Sequence, residues 1–349
     1  MSGGVDSTVT ALLLKDAGWD CHTVTMRLFS LSDVTFGTNR SCCDPEEIRL
    51  AESVANQLGI PFSVCDFSGE FRTHVIDYFV DTYLAGDTPN PCVQCNRSMK
   101  FGCLWEEARR MRCDAMATGH YARIERDPCG RYLLKRATDL TKDQTYVLWQ
   151  LTQEQLAHVQ FPLGGLTKKE VREIAAQHGF SNAGRQDSQD ICFVPDGDYA
   201  AFIEHYTQKN FPKGSFIALD GTVLGEHQGA LRYTVGQRKG LGIALGKPAY
   251  VLRKCMKSNT VTLGSNEDLF RRELTARDVN LIAVESISSP IRVQAKIRYT
   301  ATPAPATVEQ TSDHAIRLVF DQPQRAITSG QSVVLYDGDT VIGGGVIDG

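Results

Sequence analysis

Ser2-Gly3-Gly4-Val5-Asp6-Ser7 runs straight into an apolar-periodic stretch, Thr8 to Lys15, that reads as a helix. Such a turn can hold an anion. Glycines let the backbone approach a phosphate, the first helical amides are unpaired donors, and the helix dipole adds partial positive charge where Ser2 and Ser7 offer hydroxyls. The run lacks the Gly-Lys-Ser/Thr ending of a Walker loop, which disfavours a kinase or GTPase. A serine-glycine turn before a helix is the plain alternative, but all six residues together favour phosphate chemistry.

A second signal lies in Thr88 to Asn96, where turn prolines lead into Cys92-x-x-Cys95 just before an expected helix, whose start would acidify a thiol. A redox pair, two ligands of a metal or iron–sulfur site, and a structural turn with incidental cysteines all fit. A structural zinc site would want a second pair at similar spacing, and the chain offers only the adjacent Cys42-Cys43 and scattered singles. Cys192 stands in Asp187-Ser188-Gln189-Asp190-Ile191-Cys192-Phe193, a polar run meeting an apolar stop. Taken alone it reads as a small buried hydrophobe, as do Cys21, Cys65, Cys103, Cys113, Cys129 and Cys255.

The elements that must position these groups follow from periodicity. From Ser2 to about Phe193 helix and strand alternate, as in a doubly wound parallel α/β sheet. Cys21 to Leu28 alternates like a strand, Asp44-Pro45-Glu46-Glu47 caps a helix that Gly59 ends, and Pro61 to Phe67 is the next strand. Phe71 to Leu84 and Met99 to Met111 read as helices. Asp114 to Thr118 reads as a short strand delivering Gly119-His120-Tyr121 to its carboxyl end, the edge where open parallel sheets bind ligands. Thr167 to Glu170 is a capping box for a helix ending at Gly179. Beyond Gly197 helical periodicity fades, and Ile291 to Tyr299, Ala315 to Phe320 and Ser332 to Tyr336 suggest small antiparallel sheets or a barrel. The expected division is 1–195, 196–270 and 271–349, the last barrel-like.

With 349 residues the chain is long enough for two or three cores. No apolar run reaches membrane-span length and no basic-then-apolar leader opens the chain, so the expectation is a cytosolic protein. Its eleven cysteines, odd in number and irregular in spacing, fit reduced thiols better than a disulfide framework. The net charge of −4 excludes a generally basic nucleic-acid binder, yet Gln228 to Thr300 holds thirteen Lys/Arg against five Asp/Glu. That local net of +8 leaves −12 elsewhere and suits a polyanion partner, or simply the solvated face of a β domain.

The six-residue loop resembles that of the ATP pyrophosphatases, which cleave ATP between its α and β phosphates and adenylate an oxygen of the substrate. That family has a strand before the loop, and the first central strand is expected to be absent here. Over almost the whole chain the motifs resemble the tRNA-specific 2-thiouridylases, which put sulfur on the wobble uridine of certain tRNAs. The matching stretches are Ser2 to Ser7, Thr88 to Asn96, Ala117 to Tyr121, Lys142 to Tyr146, Asp187 to Phe193, Tyr233 to Gly240, Arg298-Tyr299 and Gly330-Gln331.

By that resemblance Gly3, Gly4, Val5, Asp6, Ser7, Met26 and Gly119 would contact ATP, with Met26 under the adenine and Mg²⁺ neutralising the pyrophosphate. The tRNA would meet Asn90, Pro91, Cys92, His120, Lys142, Asp143, Gln144, Arg298, Tyr299 and Gln331. Cys192, charged with sulfur by a donor protein, would attack the activated uridine, and Cys95 would resolve the link as a disulfide. The family usually has an aspartate where this chain has Cys92, so a carboxylate base is not carried over. Cys92, Cys95 and Cys192 would also suit three ligands of an iron–sulfur cluster. Two other classes predict different behaviour: an amide-forming ATP pyrophosphatase has no use for Cys95 or Cys192, and a non-catalytic RNA binder turns over no ATP.

Overall fold

Residues 1–29, 45–185, 191–194 and 196–348 are described by the structure, a computed structural model. Cys42, Cys43, Asp44 and Asp187 to Asp190 lie outside the described residues. Two compact units divide the chain: Met1–Ile76, Pro91–Gly197 and Gly338–Gly343 in the first, Asp77–Asn90, Asp198–Asp337 and Gly344–Gly349 in the second.

In the first unit, α1 (Val5–Asp16) begins directly after Gly4 and buries Val5, Val9 and Leu12 along one stripe. These pack with Val54, Leu58, Tyr121, Leu163, Val171 and Phe180 in one core. The strand β1 (Thr23–Arg27) pairs in parallel with β2 (Phe62–Asp66), and α2 (Pro45–Leu58) between them packs on both strands and on α1. A second parallel pair joins β3 (Met116–Ala117) to β6 (Val159–Gln160), while β4 (Ala122–Arg126) and β5 (Tyr132–Arg136) form an antiparallel hairpin. The helix α5 (Lys168–Gln177) carries the expected capping box, Thr167 and Glu170 bonding reciprocally, and packs on α1.

Three local expectations are corrected. The two cysteines of Cys92-x-x-Cys95 lie inside a helix, α3 (Pro91–Cys95), rather than before one, because Pro91 is suited to a first helical position. The segment after it is a π-helix, Asn96–Cys103, followed by α4 (Leu104–Arg110). The stretch read as one helix over Phe71 to Leu84 is broken into Ser68–Phe71, a π-helical turn Arg72–Ile76 and the helix Asp77–Ala85. Wide turns keep the apolar spacing that makes a sequence look helical while rotating the side chains that follow.

In the second unit helicity does not end at Gly197. Asp198 accepts from the Ala201 amide and caps α6 (Tyr199–Thr207), which buries Phe202 and Ile203. The strands β7 (Gly214–Ile217), β8 (Val223–His227), β9 (Tyr250–Cys255) and β10 (Thr260–Gly264) form a sheet in the order β8-β7-β10-β9. Its core centres on Phe216, Tyr233, Val251, Val261 and Leu263. The strands β11 (Phe270–Leu281), β14 (Ala315–Arg325), β13 (Ala304–Ser312), β12 (Ile291–Lys296), β15 (Ser332–Asp337) and β16 (Thr340–Asp348) follow one another, and β16 returns to β11 to close a six-stranded barrel. Closure leaves these strands no open edge. Among the described residues no helix is long and apolar enough to cross a membrane.

Candidate functional site

The glycine-rich loop is held on several sides within the first unit. Gly3 has φ +73°, and a Cβ there would lie 3.0 Å from the Glu47 carbonyl oxygen, so both conformation and space call for glycine. The buried Asn182 amide donates to the Gly3 carbonyl and the Thr8 hydroxyl, each at 2.8 Å. Arg185 pairs with Glu47 behind the loop. Ser7 Oγ donates to the Gly4 carbonyl at 2.9 Å, and Met26 is half-buried on β1 opposite Cys65.

Gly119 backs directly onto the loop. A Cβ on it would meet the Asp6 carbonyl carbon at 3.0 Å and the Ser7 amide nitrogen at 3.1 Å. The next two residues extend the contact in different directions. Tyr121 donates its hydroxyl to Asp6 Oδ1 at 2.8 Å, and its amide donates to Gln144 Oε1 at 2.9 Å. Lys168 donates to both Asp6 oxygens at 2.8 Å. His120 turns instead toward the π-helix that follows Cys95, with Lys100 Nζ 3.3 Å from its Nε2 and Thr118 Oγ1 2.7 Å from its Nδ1. An ammonium only donates, so Nε2 accepts and the imidazole proton sits on Nδ1, bonded to Thr118. Burial, with the Lys100 charge adding to it, drives the His120 pKa well below its ordinary value and keeps the ring neutral.

Cys92 reaches solvent yet is crowded by protein, and this desolvation pushes its thiol pKa up against the pull of the Lys100 charge. The expected acidification is thereby corrected for Cys92, because desolvation outweighs the Lys100 charge. Cys192 is exposed, while the neighbouring Phe193 is buried and packs edge-on against Phe71 with ring centroids 5.7 Å apart. The short helix Ser68–Phe71 packs on the π-helix after Cys95, and the turn Arg72–Ile76 packs on α3. The Cys95 and Cys192 segments thus rest on one common stretch, Ser68 to Ile76. Both cysteines are present as thiols, not as a disulfide.

Among the described residues no three His, Cys, Asp or Glu side chains are grouped to hold a metal. Cys92, Cys95 and Cys192 are not assembled as a ligand set, and the Asp6 carboxylate is committed to Lys168 and Tyr121. Nor are the other cysteines the buried hydrophobes expected: Cys129 is exposed in a turn and Cys255 is exposed at the end of β9, and Cys21, Cys65, Cys103 and Cys113 are only half-buried. Asp143 is buried, its carboxylate accepting from Arg136, the Ala137 amide and Thr145, so it shapes the turn that presents the half-buried Lys142 and Gln144.

In the second unit Gln331 donates its amide to the carbonyls of Thr88 at 3.0 Å and Pro89 at 3.1 Å, and the Ser329 carbonyl accepts from the Thr88 amide. A Cβ on Gly330 (φ +85°) would strike the Thr88 oxygen at 2.8 Å. Gln331 therefore fixes the backbone leading to Asn90. Arg298 donates to the Arg325 and Ala326 carbonyls, whereas Tyr299 is exposed with Lys296 Nζ 5.5 Å from its ring centre.

The first 196 residues match the family described as the tRNA methyl transferase HUP domain, residues 200–265 its PRC-barrel domain, and residues 271–347 the aminomethyltransferase beta-barrel domain. The tRNA-specific 2-thiouridylase MnmA of Clostridioides difficile (strain 630) is 51% identical over 349 residues, covering 100% of this chain and 96% of its own. Those of Acetivibrio thermocellus and Lachnoclostridium phytofermentans are each 49% identical, over 99% of this chain and 97% and 98% of their own. The chain belongs to the tRNA-specific 2-thiouridylase family. Two cations at this thiouridylase-family site escape a motif reading. Lys168 looks like part of a capping box, and Lys100 looks like one more polar residue on a helix; only the folded contacts with Asp6 and His120 single them out.

Proposed function

We propose that this protein is a tRNA-uridine 2-sulfurtransferase that uses ATP to activate the wobble uridine and cysteine-borne sulfur to thiolate it. The observation that supports this most directly is the tripeptide Gly119-His120-Tyr121. It abuts the phosphate-type loop through Gly119, bonds Asp6 through Tyr121, and through His120 and Lys100 reaches the π-helix that continues directly from the Cys92 and Cys95 helix. Nucleotide chemistry and sulfur chemistry would then share one wall.

A uridine carbonyl is a poor electrophile because its oxygen leaves badly, so transfer of AMP from ATP to that oxygen, with release of pyrophosphate, supplies a leaving group. The amides of Gly3 to Ser7 and the α1 dipole would hold the departing pyrophosphate. Magnesium would enter as part of the nucleotide substrate and neutralise its phosphates. The terminal sulfur of a Cys192 persulfide, loaded by a sulfur-donor protein, adds at C2 and AMP departs. Cys95 thiolate then attacks the Cys192 sulfur, breaks the S–S bond to release the thiouridine, and leaves a Cys95–Cys192 disulfide for an external thiol to reduce. Such chemistry suits the reducing cytosol.

Pyrophosphate release measured with and without unmodified tRNA tests the reading. Stimulation by tRNA is expected, whereas release with a small amide acceptor alone, or no release, overturns it. Cys192→Ala is expected to lose thiolation at least 100-fold while keeping tRNA-stimulated pyrophosphate release. Full thiolation by that variant would remove Cys192 from the mechanism.

A further inference from the structure

We infer that Lys100 is the cation that meets the substrate's pyrimidine ring, and that His120 is the residue that positions it. The inference rests on the thiouridylase reading above and adds a group to it. His120 is poorly placed to touch a substrate itself. Its side chain is buried, with its ring 6.0 Å from Phe101 and 5.9 Å from Phe161 between centroids, and both nitrogens are engaged by Thr118 and Lys100. Its single proton is spent on Thr118, so it has none to offer.

Lys100 has what His120 lacks. It is half-buried, and among the described residues its ammonium has His120 as its hydrogen-bond partner, leaving two N–H donors. It lies on the π-helix Asn96–Cys103, eight residues after Cys92. One α turn followed by one wide π turn returns the chain to roughly the same face, so Lys100 and Cys92 share a side of this element. A neutral imidazole is also the right cradle, because an imidazolium at 3.3 Å would repel the ammonium.

A donor in that place has a chemical use. It can hydrogen-bond a uracil carbonyl and offset the negative charge that builds on the ring when sulfur adds to it, a stabilisation greater in the transition state than in the ground state. No proton need be transferred by Lys100 for this to work.

The test compares Lys100→Met, Lys100→Gln and Lys100→Arg with the wild type. It reads kcat and KM for tRNA in pyrophosphate release and thiolation, and the Kd for tRNA by filter binding. Lys100→Met and Lys100→Gln are expected to lower kcat for thiolation at least 30-fold while KM and Kd stay within threefold, and Lys100→Arg to recover at least tenfold of that loss. A second readout needs no turnover: the rate of Cys92 alkylation by iodoacetamide, followed by mass spectrometry of its peptide, should fall at least threefold in Lys100→Met. A kcat for thiolation within threefold of wild type in both neutral variants overturns the proposal, and so does an unchanged alkylation rate. Wild-type protein that releases no pyrophosphate with tRNA would overturn the thiouridylase reading instead, and the alkylation comparison would still decide whether Lys100 stands beside Cys92.

Discussion

Asp6 shows how much a single side chain of the loop depends on residues remote in sequence. Its carboxylate takes two bonds from Lys168, 162 positions away, and one from Tyr121, 115 positions away. The capping-box pattern of Thr167 to Glu170 explained Lys168 as a helix start, and that reading was locally right while hiding the ion pair. Lys168→Met leaves Asp6 with Tyr121 as its one named donor, and the loss of a charge-assisted pair of this kind costs about 1–3 kcal/mol. The expected outcome is a lower Tm together with an ATP Kd raised at least tenfold, read by titrating a fluorescent ATP analogue. An ATP affinity equal to wild type would show that the pair serves stability alone. By contrast Gly3 and Gly119 are legible in the sequence, since glycine at close backbone approach announces itself in a motif.

At the scale of elements, the helix–strand alternation was readable but its wide turns were not. A π-helix has no composition of its own, so Asn96–Cys103 looks in sequence like any amphipathic helix, and the rotation it imposes on Lys100 emerges only when the chain is folded. The segment Asp77–Asn90 in the second unit carries a further feature without a sequence signature. Among the described residues Lys254 Nζ is buried without a hydrogen-bond partner and lies 5.3 Å from the centre of the Tyr83 ring, which stacks on Tyr199 at 4.4 Å. Burial lowers its pKa from 10.5 to about 8, with the Asp87 charge acting the other way. Between about pH 8 and 10.5 the unfolded chain binds the proton and the folded chain has lost it, so this group makes stability rise with pH across that window. Lys254→Met should abolish that rise and stabilise the protein at pH 7, by on the order of 3 kcal/mol. Denaturant unfolding of both proteins from pH 7 to 10.5 is the measurement, and parallel curves would show that the buried ammonium costs nothing.

At the scale of the whole molecule, the basic segment Gln228 to Thr300 keeps only part of its excess charge for a partner. Arg232 pairs with Glu204, Arg277 with Asp348 and Asp278, and Arg292 with Asp321, while Lys254 and Lys296 are largely buried. Arg238, Lys239, Lys247 and Arg271 remain exposed with no ion-pair partner among the described residues. Each phosphate such a cation neutralises adds about 0.7–0.9 to the slope of log affinity against log salt. Removing Arg238 and Lys239 together should therefore lower the tRNA salt slope by about 1–2, measured by filter binding from 50 to 200 mM salt. Equal slopes would place the RNA on another face.

What the sequence determined by itself was the inventory: a loop fit for phosphate, two separated thiol segments, an alternating α/β region and a strand-rich remainder, each set by local periodicity and by residues with special backbone freedom. What tertiary structure alone decided was which groups face one another. The closing of the six-stranded barrel, the bonding of Lys168 to Asp6, the seating of Lys100 on a neutral His120 and the resting of Phe193 on Phe71 all join residues far apart in the chain. Such contacts depend on packing and charge compensation among distant segments, and no short window of residues contains both partners.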